Sequence, residues 1–163
     1  MEIKDPDINY GRFNLDFGKG YYVTTLQDQA EKWAPRRVKA TKVAGEKKQS
    51  AIVTVYEFDT TNLNILEFGG YTEDWLDFVV ECRAGITKSH PYDAIFGNIA
   101  DDFVAATVDG YIRLLKKNRV NEDVKRATLY QLTFSIPNDQ YCIATEKGIN
   151  ALKFIESYTL GKE

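Results

Sequence analysis

Asp16-Phe17-Gly18-Lys19-Gly20-Tyr21-Tyr22-Val23-Thr24-Thr25 is the stretch on which the fold turns, together with the run Leu26–Ala34 behind it. Two glycines separated by one residue permit a positive φ and a close backbone approach, so the segment reads as a tight loop. The aromatic and β-branched residues that follow read as a short strand, Tyr21–Thr24. Strand side chains alternate between faces, so Tyr21 and Tyr22 point in opposite directions. One can enter the core while the other floors a pocket, which makes either tyrosine a candidate platform for a flat ring. Packing alone would also account for both, since a tyrosine is ordinary core material once its hydroxyl has a partner. The glycine pair precedes its strand, whereas a dinucleotide-binding fingerprint follows one, so a Rossmann sheet is not expected.

Further strands are expected at Ala51–Phe58, Leu63–Phe68, Ala94–Gly97, Gln131–Ile136 and Gln140–Ala144. The first of these is the cleanest, because Ile52, Val53, Val55, Tyr56 and Phe58 are β-branched or aromatic. Helices are expected over Leu26–Ala34, Thr72–Arg83, Asp101–Lys117, Glu122–Tyr130 and Glu146–Glu156. Pro35 should end or kink the first helix. Thr72 is placed to cap the second, with Glu73 and Asp74 in its first turn and an apolar stripe of Trp75, Leu76, Val79 and Val80. Thr41–Ser50 is polar, lysine-rich and contains Gly45, as an exposed loop would be. Strands joined by both short and helical connections predict an α+β domain with a split, two-sheet β core flanked by helices, not a regular βαβ alternation.

At 163 residues the chain fits one domain, long enough to bury about two-thirds of the surface its unfolded form exposes. The net charge of −3 offers no electrostatic footprint for nucleic acid or an anionic membrane, so neither is the expected partner. Arg36, Arg37, Lys39, Lys42, Lys47 and Lys48 form a local basic run that reads as a solvated helix end and loop. No window approaches the roughly 18 apolar residues of a membrane span. Met1-Glu2-Ile3-Lys4-Asp5 carries no signal-peptide pattern, and a cytoplasmic location is expected. Cys82 and Cys142 sit in apolar contexts as buried thiols, in keeping with a reducing compartment. His90 is the only histidine, so no His/Cys metal cluster and no metal cofactor is expected.

The Phe-Gly-Lys-Gly-aromatic-Tyr pattern, with a helix behind it, resembles the second motif of the ADP-ribosyltransferase superfamily, in its polymerase-like branch. The whole chain from Pro6 onward looks most like a bacterial domain-of-unknown-function family, thirty-nine-ninety by number, grouped with ADP-ribosyltransferase-like folds. The segments that carry this likeness are Pro6-Asp7-Ile8, Asp16–Thr25, Gln29–Ala34, Tyr92–Asp102, Asp139–Thr145 and Leu152–Ile155. The resemblance implies two small sheets with NAD, as substrate, in the cleft between them. By it, Tyr22 would stack on nicotinamide, Trp33 would wall the other side of the pocket, and Gly18 and Gly20 would give the backbone room to approach. The third motif of the superfamily carries a glutamate that binds the ribose; the matching position here is Gln140. A glutamine amide can hydrogen-bond a ribose hydroxyl but cannot act as a general base. By the resemblance this favours single-unit ADP-ribose transfer to a macromolecule, or NAD hydrolysis, in a toxin or conflict-system setting. A protein acceptor or an antitoxin would then be the partner.

The first motif of that superfamily is a histidine-glycine pair on an opening strand, and only Met1–Asp5 precede Pro6 here. His90 stands mid-chain, out of place for that role. The expectation is therefore a single domain over residues 1–163 without the first-motif strand, and a catalytically inactive binding module for a nucleotide, ADP-ribose or protein is the alternative. Other polar residues have plain explanations. Asp101 and Asp102 could pair as acid and base, yet they stand where a helix begins and suit its amino end. Arg83 suits a helix carboxyl end, Asp93 a strand entry, and Lys19 an exposed turn that could also reach a phosphate.

Overall fold

The computed structural model describes residues 3–40, 50–87, 89–99, 102–133 and 138–161. The chain is mixed α and β, with two small sheets. Its strands are β1 (Tyr21–Val23), β2 (Ile52–Phe58), β3 (Ile65–Glu67), β4 (Ala94–Gly97), β5 (Gln140–Ile143) and β6 (Leu152–Thr159). Its helices are α1 (Gln27–Ala40), α2 (Glu73–Arg83), α3 (Asp102–Lys116), α4 (Glu122–Leu132) and α5 (Glu146–Asn150), with a 3-10 turn at Ile8–Tyr10.

One sheet runs β1-β5-β4-β3, antiparallel except for the parallel β3–β4 pair; the other is the antiparallel ribbon β2-β6. Register aligns Tyr22 with Cys142, Cys142 with Ile95 and Ile95 with Leu66, so these residues form one row on one face. That face meets the helices. Phe17, Trp75, Leu76, Val79, Val104, Val108 and Leu132 close over it as the main core. Tyr21 and Tyr141 point to the opposite face and meet the second sheet through aromatic edges: Tyr21 on Tyr56 at 6.1 Å and Phe58 on Tyr141 at 5.4 Å between ring centroids. Aromatic pairs in such edge-to-face geometry add to the area they bury.

Three expectations are corrected. Helix α1 does not end at Pro35 but runs through it to Ala40. Helix-favouring residues flank the proline, and side chains from the first two turns anchor the helix elsewhere, as described below; these offset the lost backbone bond. The strand expected at Gln131–Ile136 does not start where foreseen: Gln131 and Leu132 finish α4. Thr128 and Leu132 are both buried one turn apart, so the core claims that face as helix; residues 134–136 lie outside the described residues. The last helix stops at Asn150, and Leu152–Thr159 is strand. Its Ile149/Leu152/Ile155 spacing suits a helix, but β2 needs a partner, and β6 supplies a ladder over all of its length with one irregularity at Val55/Tyr56. Gly148 lets α5 lie against the backbone that leads into β4, since a Cβ there would lie 2.8 Å from the Asp93 carbonyl oxygen.

The other elements lie close to their expected ranges, and Thr72 caps α2 by accepting from the Trp75 N–H at 3.2 Å. Ser50 is exposed, while Thr41–Gln49 and Asp101 lie outside the described residues. No helix among the described residues is long and apolar enough to cross a membrane.

Candidate functional site

The glycine loop is built by local constraint. Gly18 has φ +81°, a conformation L side chains resist, although there is space beside it. Gly20 is required for a different reason: a Cβ there would lie 2.5 Å from Cys142 Sγ and 2.6 Å from the Ile143 carbonyl oxygen. The loop is pressed onto β5, and the space freed at Gly20 is taken by the protein itself. Tyr22 then closes the loop on itself, its hydroxyl donating to the Gly18 carbonyl at 2.7 Å and accepting from the Phe17 N–H at 3.1 Å. Burial pushes this phenol far above the usual tyrosine range, so it acts as a neutral hydrogen-bonding group and not as a proton donor to solvent.

Gln140 opens β5 opposite Gly97 and is 5% exposed. Its side-chain amide donates to Asp16 Oδ2 at 3.2 Å. Asp16 is also buried, and its Oδ1 accepts from Arg83 Nε at 2.8 Å while Arg83 Nη2 lies 2.7 Å away. The other guanidinium nitrogen reaches Asp109 on α3 at 3.1 Å. Both nitrogens converge on the same carboxylate oxygen, and as charge-assisted contacts they are stronger than neutral hydrogen bonds. Arg83 is therefore more than a helix-end cation: it joins α2, the glycine loop and α3. Tyr22 and Gln140, from opposite ends of the chain, share one face of neighbouring antiparallel strands.

Trp33 is placed differently. It lies on α1 and is 40% exposed, with the Arg36 guanidinium 5.8 Å from its ring centroid. The same helix is tied down by Gln27 and Glu31, which bond the Tyr158 hydroxyl of β6, and by Gln29, which bonds the backbone of Asp139. The structure thus brings Gly18, Gly20, Tyr22 and Gln140 into one packed unit and leaves Trp33 on an open helix face.

Two hollows flank the loop. A small one of about 150 Å³ is lined by Gly18, Lys19, Cys82, His90 and Ala144, with Phe13 and Ile8 beside them. A wider groove of about 500 Å³ lies against Arg83, Asp109, Arg113 and Lys116. Tyr22, Trp33 and Gln140 line neither of these two. Lys19 stands over the Phe13 ring at 5.2 Å. His90 is held between Phe78 and Tyr92, at 5.9 and 5.8 Å, and burial lowers its pKa, so the ring is neutral near pH 7. Its Nδ1 is buried without a hydrogen-bond partner. Sequence spacing gave no sign that His90 returns to the glycine loop; only the packing of α2 against β4 brings it there.

Cys82 and Cys142 are free and buried on either side of the loop, and burial pushes both thiols up to about 12. Neither is a nucleophile at neutral pH. Asp93 is a buried hub whose carboxylate accepts from Asn64 N–H at 2.9 Å, Thr145 Oγ1 at 2.8 Å and Lys147 Nζ at 3.1 Å. These bonds, the Asn64 amide first, hold its pKa below the ordinary carboxylate range. No group of three or more His, Cys, Asp or Glu among the described residues is placed to hold a metal ion.

Residues 1–154 match the model of the family described as "Protein of unknown function (DUF3990)". No curated protein matches the chain, and no solved structure matches it.

Proposed function

The chain belongs to the DUF3990 family, and from that premise we propose that it is an ADP-ribosyltransferase-like protein that binds NAD. In this reading it transfers a single ADP-ribose unit to a macromolecule or hydrolyses NAD, as a toxin or conflict-system component acting in the cytoplasm. The observation that carries the reading is the sharing of one sheet face by Tyr22, from the glycine-loop motif, and Gln140, from the third-motif segment. Two small sheets meeting through an aromatic seam are in keeping with the split core of that superfamily.

The chemistry would break the bond between the nicotinamide nitrogen and the ribose carbon. The bonding pair leaves with nicotinamide, and an oxygen nucleophile, water or an acceptor hydroxyl, bonds to the ribose carbon and sheds its proton to solvent. With Gln140 in place of a carboxylate, catalysis would rest on orientation and on stabilising developing positive charge, not on proton abstraction. Tyr22 and Gln140 would lie on one side of the nicotinamide pocket with Gly18 and Gly20 beside them, and Trp33 would wall the other side.

A second reading is favoured by one observation: Gln140 is buried and already bonded to Asp16. A fold so satisfied internally suits a nucleotide-, ADP-ribose- or protein-binding module without turnover. Nicotinamide release from NAD, followed by chromatography, separates the two, with binding read from tryptophan fluorescence. Release that Trp33→Ala cuts at least about tenfold, with unchanged melting, supports the transferase. Binding without release supports the module. If the folded chain neither binds nor cleaves NAD, both NAD readings fall.

A further inference from the structure

The turn between β1 and α1 is held by a carboxylate from the far end of the chain. Asp139 immediately precedes β5. Its Oδ1 accepts from Thr24 Oγ1 at 2.8 Å and from the Thr25 N–H at 2.9 Å, and its Oδ2 accepts from the Thr25 hydroxyl. Its backbone is used on the same piece of chain: the carbonyl accepts from Gln29 Nε2 at 2.6 Å, and the N–H donates to Gln29 Oε1 at 3.4 Å. Thr24 Oγ1 in turn accepts from the Leu26 N–H at 3.1 Å, closing the turn that launches α1.

This pattern exceeds what a helix start needs. A local Ser, Thr, Asp or Asn suffices to cap a helix. Here the turn ahead of α1 is held by the residue that precedes β5, through side chain and backbone together. Charge-assisted bonds of this kind are about twice as strong as neutral ones. The consequence is geometric. Trp33 lies one helical turn beyond Gln29 on the same face, about 6 Å along a rigid helix. Gln140 is the residue next to Asp139. A single residue therefore couples the helix that carries Trp33 to the strand that opens with Gln140.

We propose that Asp139 is the positioning residue of the candidate site, fixing α1 and Trp33 relative to Gln140. The link to ligand binding rests on the NAD reading above; the mechanical part does not. The test compares wild type with Asp139→Ala, Asp139→Asn and Thr25→Val. It reads amide exchange at Thr25, acrylamide quenching of Trp33 against the buried Trp75, and KM and kcat for nicotinamide release.

Asp139→Ala is expected to speed Thr25 exchange at least about tenfold and to raise KM about tenfold, with a smaller change in kcat. Asp139→Asn keeps the oxygen that serves Thr24 and the Thr25 N–H, and should recover most of the loss. Unchanged exchange and quenching in folded Asp139→Ala would overturn the proposal. So would a variant loosened by both readouts that keeps the native KM. Should Asp139→Ala fail to fold, Thr25→Val removes one donor only and carries the same comparison. If wild type shows no NAD binding or turnover, the functional reading falls, and exchange and quenching alone decide whether Asp139 holds the helix.

Discussion

The glycine loop and helix α1 are neighbours in sequence, and each carries one aromatic residue of the candidate site, yet they are built on different principles. In the loop every special residue serves the fold: Gly18 supplies a left-handed turn, Gly20 lets the chain lie on β5, and the Tyr22 hydroxyl closes the loop. Along α1 no described side chain is fully buried, Trp33 is 40% exposed, and the helix is held by polar contacts at its start. A pocket assembled from these parts would have a packed floor and a more exposed wall. Mutations in the first region should therefore read out as stability, and mutations in the second as binding.

The sharpest way to break this contrast is Gly20→Ala. A Cβ 2.5 Å from a buried sulfur and 2.6 Å from a backbone oxygen cannot be relieved by a side-chain rotation alone. We expect a loss of about 3 kcal/mol in urea unfolding; a variant of native stability would mean the loop is not packed as described. Next comes Arg83→Met, which leaves Asp16 buried without its guanidinium. Because both side chains retain some solvent contact, the expected cost is about 2 kcal/mol, below that of a fully buried pair. Tyr22→Phe removes one hydroxyl that both donates and accepts, and should cost about 1–2 kcal/mol in the same assay. The smallest stability effect belongs to Trp33→Ala, within about 0.5 kcal/mol, since its ring is largely a surface feature. A larger loss there would erase the distinction between floor and wall, and an unchanged NAD affinity would remove Trp33 from the site.

Much of this molecule was legible before its tertiary structure. The loop, β1, β2, α2 and β4 follow from glycine chemistry, β-branched and aromatic runs, and the Thr72 cap, which are properties of a few adjacent residues. The elements misread were those where neighbours overruled local pattern. Leu152–Thr159 has a spacing that suits a helix, but an unpaired β2 makes it a strand; α4 extends because Thr128 and Leu132 both face the core.

The candidate site divides the same way. Tyr22, Trp33, Gln140 and the two glycines are grouped as a candidate set by a family resemblance, which compares residues in their order along the chain. What the sequence could not determine is which of them touch. Strand register sets Tyr22 beside Cys142, the Arg83–Asp16–Gln140 chain crosses three separate segments, and His90 reaches the loop through α2 and β4. Asp139 clasps Thr24, Thr25 and Gln29 from the far end of the chain. Local propensity acts over a few bonds and is written in the chain; contacts between distant segments exist only once burial has chosen how the sheets and helices close on one another.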